Sequence, residues 1–168
     1  MKVKNLILII FLTISYVGSL LAENNEAFDG AGGRDDLSYL NAKNSDFKKG
    51  KDALKQALKY KKKDKFKKAN ARFEKALKYF VLSYKDTPYN IDTLSYLGFI
   101  YTEVGDLFMS EIYYQEALKI DPKNYLINQK LGELYLNTKR YSLAKEKLDF
   151  LSTCNCQEYV NLKNIIEK

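Results

Sequence analysis

The chain has 168 residues, two cysteines, no histidine and a formal charge of +7. Without histidine, the Ser-His-Asp and Cys-His catalytic arrangements are excluded, together with the histidine-based metal motifs. The charge is unevenly laid: fourteen Lys or Arg face only Asp46, Asp52, Asp64 and Glu74 between Asp46 and Lys78, a local +10, so the remainder sums to −3.

Met1 to Glu23 opens with Lys2 and Lys4, runs through LILIIFLTISYVGSLLA and reaches Ala22 before the polar ENNE. A basic end, a short apolar core and a small residue at the break are the layout of a secretory signal peptide over residues 1–22. Leu20 stands three residues before the break, where a small side chain is preferred, so an uncleaved anchor is the competing reading. Both readings put the chain after residue 22 on the far side of a membrane. Residues 23–45, which contain FDGAGGRDD, are expected to form a disordered linker. Gly30, Gly32 and Gly33 do not make a phosphate loop, because no Gly-Lys-Ser/Thr comes after them and no apolar strand precedes them.

From Asp46 to Lys85 the pattern is helical and basic. Ala53, Leu54, Ala57 and Leu58 form one stripe, and after the lysine run Phe66, Ala69, Phe73, Ala76, Leu77, Phe80 and Tyr84 form a second. The spacing predicts a first helix near Phe47 to Lys62 and a long second one from about Phe66 to Lys85. Its lysines suit three readings: a solvated helix face, an anionic membrane or polysaccharide surface, or nucleic acid. The last is disfavoured, since exposed aromatics are not interleaved for base stacking.

The next stretch, Ile91 to Asn124, places Leu94, Leu97, Gly98, Tyr101, Ser110, Tyr114, Ala117 and Pro122 at the spacing of a tight helical hairpin. Gly98 and Ala117 are small where the two axes approach, and Pro122 stops the second helix. Adding 34 carries Leu97, Gly98 and Tyr101 onto Leu131, Gly132 and Tyr135, and Ser110 onto Ala144. The second copy, Tyr125 to Glu158, departs at Asn128 and Cys156, as a terminal repeat does. This pattern resembles the tetratricopeptide repeat. The resemblance implies an all-α fold, a short right-handed solenoid of about three hairpins (near 50–90, 91–124 and 125–158) with a capping helix over 157–167, in a domain spanning 46–168. The first hairpin admits two registers, 41 or 34 residues from the second. They differ by seven residues, two helical turns, so one long second helix can serve both.

The resemblance further implies a peptide-binding inner face made by the first helix of each hairpin. Carried over by position, that face holds Leu54, Leu58 and Lys61, then Ser95, Phe99, Thr102 and Glu103, then Gln129, Glu133, Leu136 and Asn137. The family's carboxylate clamp needs Lys and Asn where this chain has Leu54, Leu58, Ser95 and Tyr96, so a clamp of that kind is not expected. Phe99 and Leu136 are the apolar candidates for peptide contact, with packing against a neighbouring helix as the alternative. Glu103 and Glu133 are better read as solvated glutamates than as an acid–base pair, and no catalytic, cofactor-binding or metal residue is assigned.

In the tail, Tyr159, Leu162 and Ile166 make a stripe suited to covering the last hairpin. The sequence C-x-C-x-E-Y after the final repeat resembles the end of a group of small exported bacterial tetratricopeptide proteins, which implies a periplasmic location, soluble or tethered. Cys154 and Cys156 suit a local disulfide or paired thiols, a redox role, or a soft-metal site, for which further ligands would be needed. The expected function is a non-enzymatic interaction scaffold of the cell envelope, binding a protein or peptide, with self-association as a further partner class. The alternatives are electrostatic binding through residues 48–78 and thiol redox work through Cys154 and Cys156.

Overall fold

The computed structural model describes residues 36–167, with side chains from residue 45 onward. The signal segment 1–22 and the first part of the expected linker lie outside the described residues. Seven helices are described: α1 (Asp36–Lys61), α2 (Phe66–Asp86), α3 (Ile91–Val104), α4 (Leu107–Ile120), α5 (Tyr125–Asn137), α6 (Tyr141–Leu151) and α7 (Gln157–Ile166). They pair as the hairpins α1/α2, α3/α4 and α5/α6. The second helix of each pair packs on the first helix of the next, and α7 packs on α5 and α6. That is an all-α repeat solenoid.

Two boundaries differ from expectation. Helix α1 begins at Asp36 rather than near Phe47, so it extends into the stretch read as linker. Of the expected cap stripe only Leu162 is fully buried, while Tyr159 is half-buried and Ile166 exposed.

The ends of the helices are written locally. Asn90, Asp106 and Asn124 precede α3, α4 and α5, and each side chain accepts from a backbone N–H three residues on, Thr93 at 2.8 Å, Met109 at 3.1 Å and Ile127 at 3.2 Å. Within every hairpin the turn is closed by the same two backbone bonds. Asp64, Gly105 and Lys139 each take a left-handed conformation and donate three residues back, to Lys61, Thr102 and Leu136. Their successors, Lys65, Asp106 and Arg140, donate five residues back, to Tyr60, Tyr101 and Tyr135. This is the Schellman closure, used three times.

Those turns settle the register of the first hairpin. Asp64 and Gly105 are 41 apart, Gly105 and Lys139 are 34 apart, and the turns between hairpins, Thr87–Asn90 and Asp121–Asn124, are again 34 apart. The seven extra residues therefore lie inside α2, which has 21 residues against 14 in α4. An insertion of two turns returns the same face to the same neighbour. Ala69, Phe73, Ala76, Phe80 and Ser83 are all buried, so both registers are satisfied by one helix.

The core is continuous along the stack. Phe80 stacks on Tyr96 with ring centroids 4.9 Å apart, joining α2 to α3, and Tyr84 meets Tyr113 edge-on at 5.8 Å. Asn128, one of the two departures in the third hairpin, is buried but satisfied. Its amide donates to the carbonyls of Pro122 and Asn124 at 3.1 and 3.0 Å and its oxygen accepts from Lys147 Nζ at 3.1 Å. Cys156, the other departure, sits in extended backbone immediately before α7.

Candidate functional site

The inner face is formed by α1, α3 and α5, whose side chains beside the packing stripe are free to look outward. Its sequence-derived residues do not share one fate. Leu54 is buried among Ala53, Ala57 and Phe80 and belongs to the core, a correction that arises from the close approach of Tyr96. Gln129 is likewise buried. It donates to Glu133 Oε1 at 2.5 Å and accepts from Asn161 of α7 at 3.4 Å, so the capping helix engages the amide expected to meet a ligand. Thr102 turns its hydroxyl inward, donating to the carbonyl of Gly98 at 3.1 Å and sharing a hydrogen bond with Ser110 Oγ at 2.7 Å.

The remaining positions form the surface itself. Lys61 Nζ donates to Glu103 Oε2 at 2.5 Å, bridging the ends of α1 and α3. Lys130 pairs with Glu133 at 2.8 Å. The two glutamates are thus tied to cations and are not juxtaposed as an acid and a base. Phe99 and Leu136 are half-buried, each packed against a core cluster and each retaining an exposed side. Ser95 is half-buried, Asn137 is exposed, and Leu58 is 42% exposed.

At the α1 end of this face lies an open hollow of about 260 Å³ with Leu54, Leu58 and Tyr96 as its floor and Lys51 and Lys55 on its rim. It occupies the positions at which the family's clamp would place Lys and Asn, and it is apolar where that clamp is polar. Tyr96, Lys51 and Lys55 were not among the expected contacts. Their signal was their position one residue beside Ser95, or one helical turn before Leu54 and Leu58, and it is visible only once the helices are placed.

Beneath the face, burial raises the Tyr114 phenol well above its usual pKa. The polar Thr102 side chain opposes that shift, and the nearby Glu133 and Glu103 reinforce it. Tyr114 is therefore a neutral packing residue. Cys154 and Cys156 are bridged in the loop between α6 and α7, with their Cα atoms 5.2 Å apart. Among the described residues no group of three or more Cys, Asp or Glu is gathered as metal ligands would be.

A family model described as tetratricopeptide repeat matches residues 113–146, from the second helix of the second hairpin into the third. A search of curated proteins returned no match. Among solved structures, the second tetratricopeptide domain of human RPAP3, in complex with an HSP70 peptide, aligns with a TM-score of 0.56 at 13% identity, covering 75% of this chain and 98% of that one. The first such domain of Spaghetti (RPAP3), bound to an HSP90 peptide, aligns at 0.54 with 16% identity, covering 71% and 91%. The TPR2B domain of yeast Sti1, in its pHsp70 complex, aligns at 0.55 with 15% identity, covering 71% and 94%. At such identities the likeness is one of fold. Residues 113–146 match the tetratricopeptide-repeat model directly, and the stacked hairpins that contain them share the fold of these solved tetratricopeptide domains.

Proposed function

We propose that the chain is a non-enzymatic interaction scaffold of a bacterial cell envelope, exported by its N-terminal segment, that holds a peptide or protein on the inner face of its hairpins. The observation that carries this reading is the hollow over Leu54, Leu58 and Tyr96, rimmed by Lys51 and Lys55. An apolar floor takes an apolar side chain, and the two lysines favour acidic residues on either side of it. The RPAP3 domains of similar fold were solved with peptides and the Sti1 domain in its pHsp70 complex, which supports a peptide or protein partner for this fold. The missing clamp residues mean that the ligand here is held by an internal apolar residue rather than by a terminal carboxylate.

A photo-crosslinker placed at Leu58 in whole cells tests this reading. It is expected to capture an envelope protein, and the capture should disappear when Tyr96→Ala is added. Capture at the outer-face position Lys145 to the same extent, or of cytosolic proteins alone, would overturn it.

A further inference from the structure

The edge formed by the turns within the hairpins carries a pattern that peptide binding on the inner face does not use. Each of the three turns leads into an exposed aromatic ring: Phe66 at 57%, Phe108 at 72% and Tyr141 at 65% exposure. Each ring stands at the start of its helix, two or three residues after the left-handed residue, Asp64, Gly105 or Lys139. The turns are held in register by side chains that cross between hairpins. Lys61 reaches Glu103 at 2.5 Å between the first and second, and Arg140 grips both oxygens of Glu111 at 2.9 and 2.7 Å between the second and third. Each repeat therefore carries one exposed ring at the turn end of its second helix, Phe66 and Tyr141 at the first helical position and Phe108 at the second.

Charge is laid on the same edge. Residues 59–68 contain seven lysines against one acid, Asp64, and all seven lysines are exposed. Lys139 is exposed at the third turn. The acids of the second turn are occupied, Glu103 by Lys61, Glu111 by Arg140 and Asp106 by the N–H of Met109. The opposite edge is balanced, with Lys85, Lys119 and Lys123 against Asp86, Asp92 and Asp121.

The geometry points to this edge as a docking surface for an anionic lipid bilayer. Isolated rings on protruding turns are shaped to enter a headgroup layer rather than to fill a protein groove, and aromatics flanked by lysines are the composition that settles at a membrane interface. Lysines near an anionic surface add attraction that falls off within a Debye length. The inner face then remains open to solvent while the edge lies on the lipid. This goes beyond the peptide-binding reading and does not depend on it.

The chain has no tryptophan, so a single indole reports on one place. Full-length Phe108→Trp and Tyr141→Trp variants, mixed with vesicles of phosphatidylglycerol and phosphatidylcholine brominated on their acyl chains, should show quenching and a blue shift. A Tyr89→Trp variant, on the opposite edge at a residue 81% exposed, should show neither. Adding Lys62→Gln, Lys63→Gln and Lys65→Gln to Phe108→Trp, or raising salt to half-molar, should remove most of the quenching. Every variant carries residues 1–22, so attachment through that segment is common to both edges compared. Equal quenching at both edges, or none at Phe108→Trp, would overturn the assignment, and the second result would leave the edge to a protein partner.

Discussion

The ring of Tyr114 fills the space that a side chain on Gly98 would need. A Cβ built at Gly98 falls 2.6 Å from both Cδ1 and Cε1 of Tyr114, and the ring is itself buried and cannot step aside. Gly98→Ala should therefore destabilise the domain by about 1–3 kcal/mol, the usual range for overpacking. Gly132 offers the contrast. A Cβ there meets the end of the Leu162 side chain at 2.6 Å, and that side chain can rotate. Gly132→Ala should cost less and loosen α7 rather than the hairpin. Thermal melts of the two variants check the order, and equal losses would contradict it.

The three left-handed turn residues close the same pair of backbone bonds with different side chains. Gly105 adopts φ 88° with open space around its Cα, whereas Lys139 adopts φ 59° while carrying a side chain. Left-handed backbone costs a residue with a Cβ about 1–2 kcal/mol, less what glycine loses in chain entropy. Gly105→Ala should lower stability by about 1 kcal/mol, and Lys139→Gly should raise it by several tenths, in denaturant titrations at constant m-value.

Arg140 does three things at once. It forks Glu111, donates from Nε to Thr138 Oγ1 at 2.9 Å and lies over the Tyr135 ring at 4.5 Å. A lysine has neither the fork nor the plane, so Arg140→Lys should cost about 1 kcal/mol although both carry the same charge. A double-mutant cycle with Glu111→Gln should return a coupling of roughly 0.5–1 kcal/mol, modest because the pair is partly solvated. A coupling of zero would show that the second and third hairpins are held by their cores alone.

Alkali should expose the tyrosine packing. Burial raises the pKa of Tyr114, and of Tyr101, Tyr113 and Tyr135, above the ordinary 10.0. Their contribution is complete below pH 10 and is lost as pH rises through the folded values, because the unfolded chain ionises first. Lys147, lowered by burial, works in the opposite sense: its contribution rises with pH up to its ordinary 10.5. Stability measured by circular dichroism should fall above pH 10, and Tyr114→Phe should flatten that fall.

Much of the fold was legible because packing between adjacent helices depends on residues at short, fixed spacing. Gly98, Tyr114 and Ala117 declare the hairpin, and Pro122 its end. The candidate site was less legible. Leu54 and Gln129 occupy the same face as Leu58 and Glu133, yet Leu54 sinks into the core at the floor of the hollow and Asn161 engages Gln129.

Repeat spacing and small residues at the crossings were properties of the linear chain, since each is written at short, fixed intervals. Which of two equivalent registers held the insertion, which inner-face residues stayed open, and that Phe66, Phe108 and Tyr141 share the turn edge were decided by the stacking of hairpins. The physical reason is distance: these relations join residues more than thirty positions apart, and only packing brings them together.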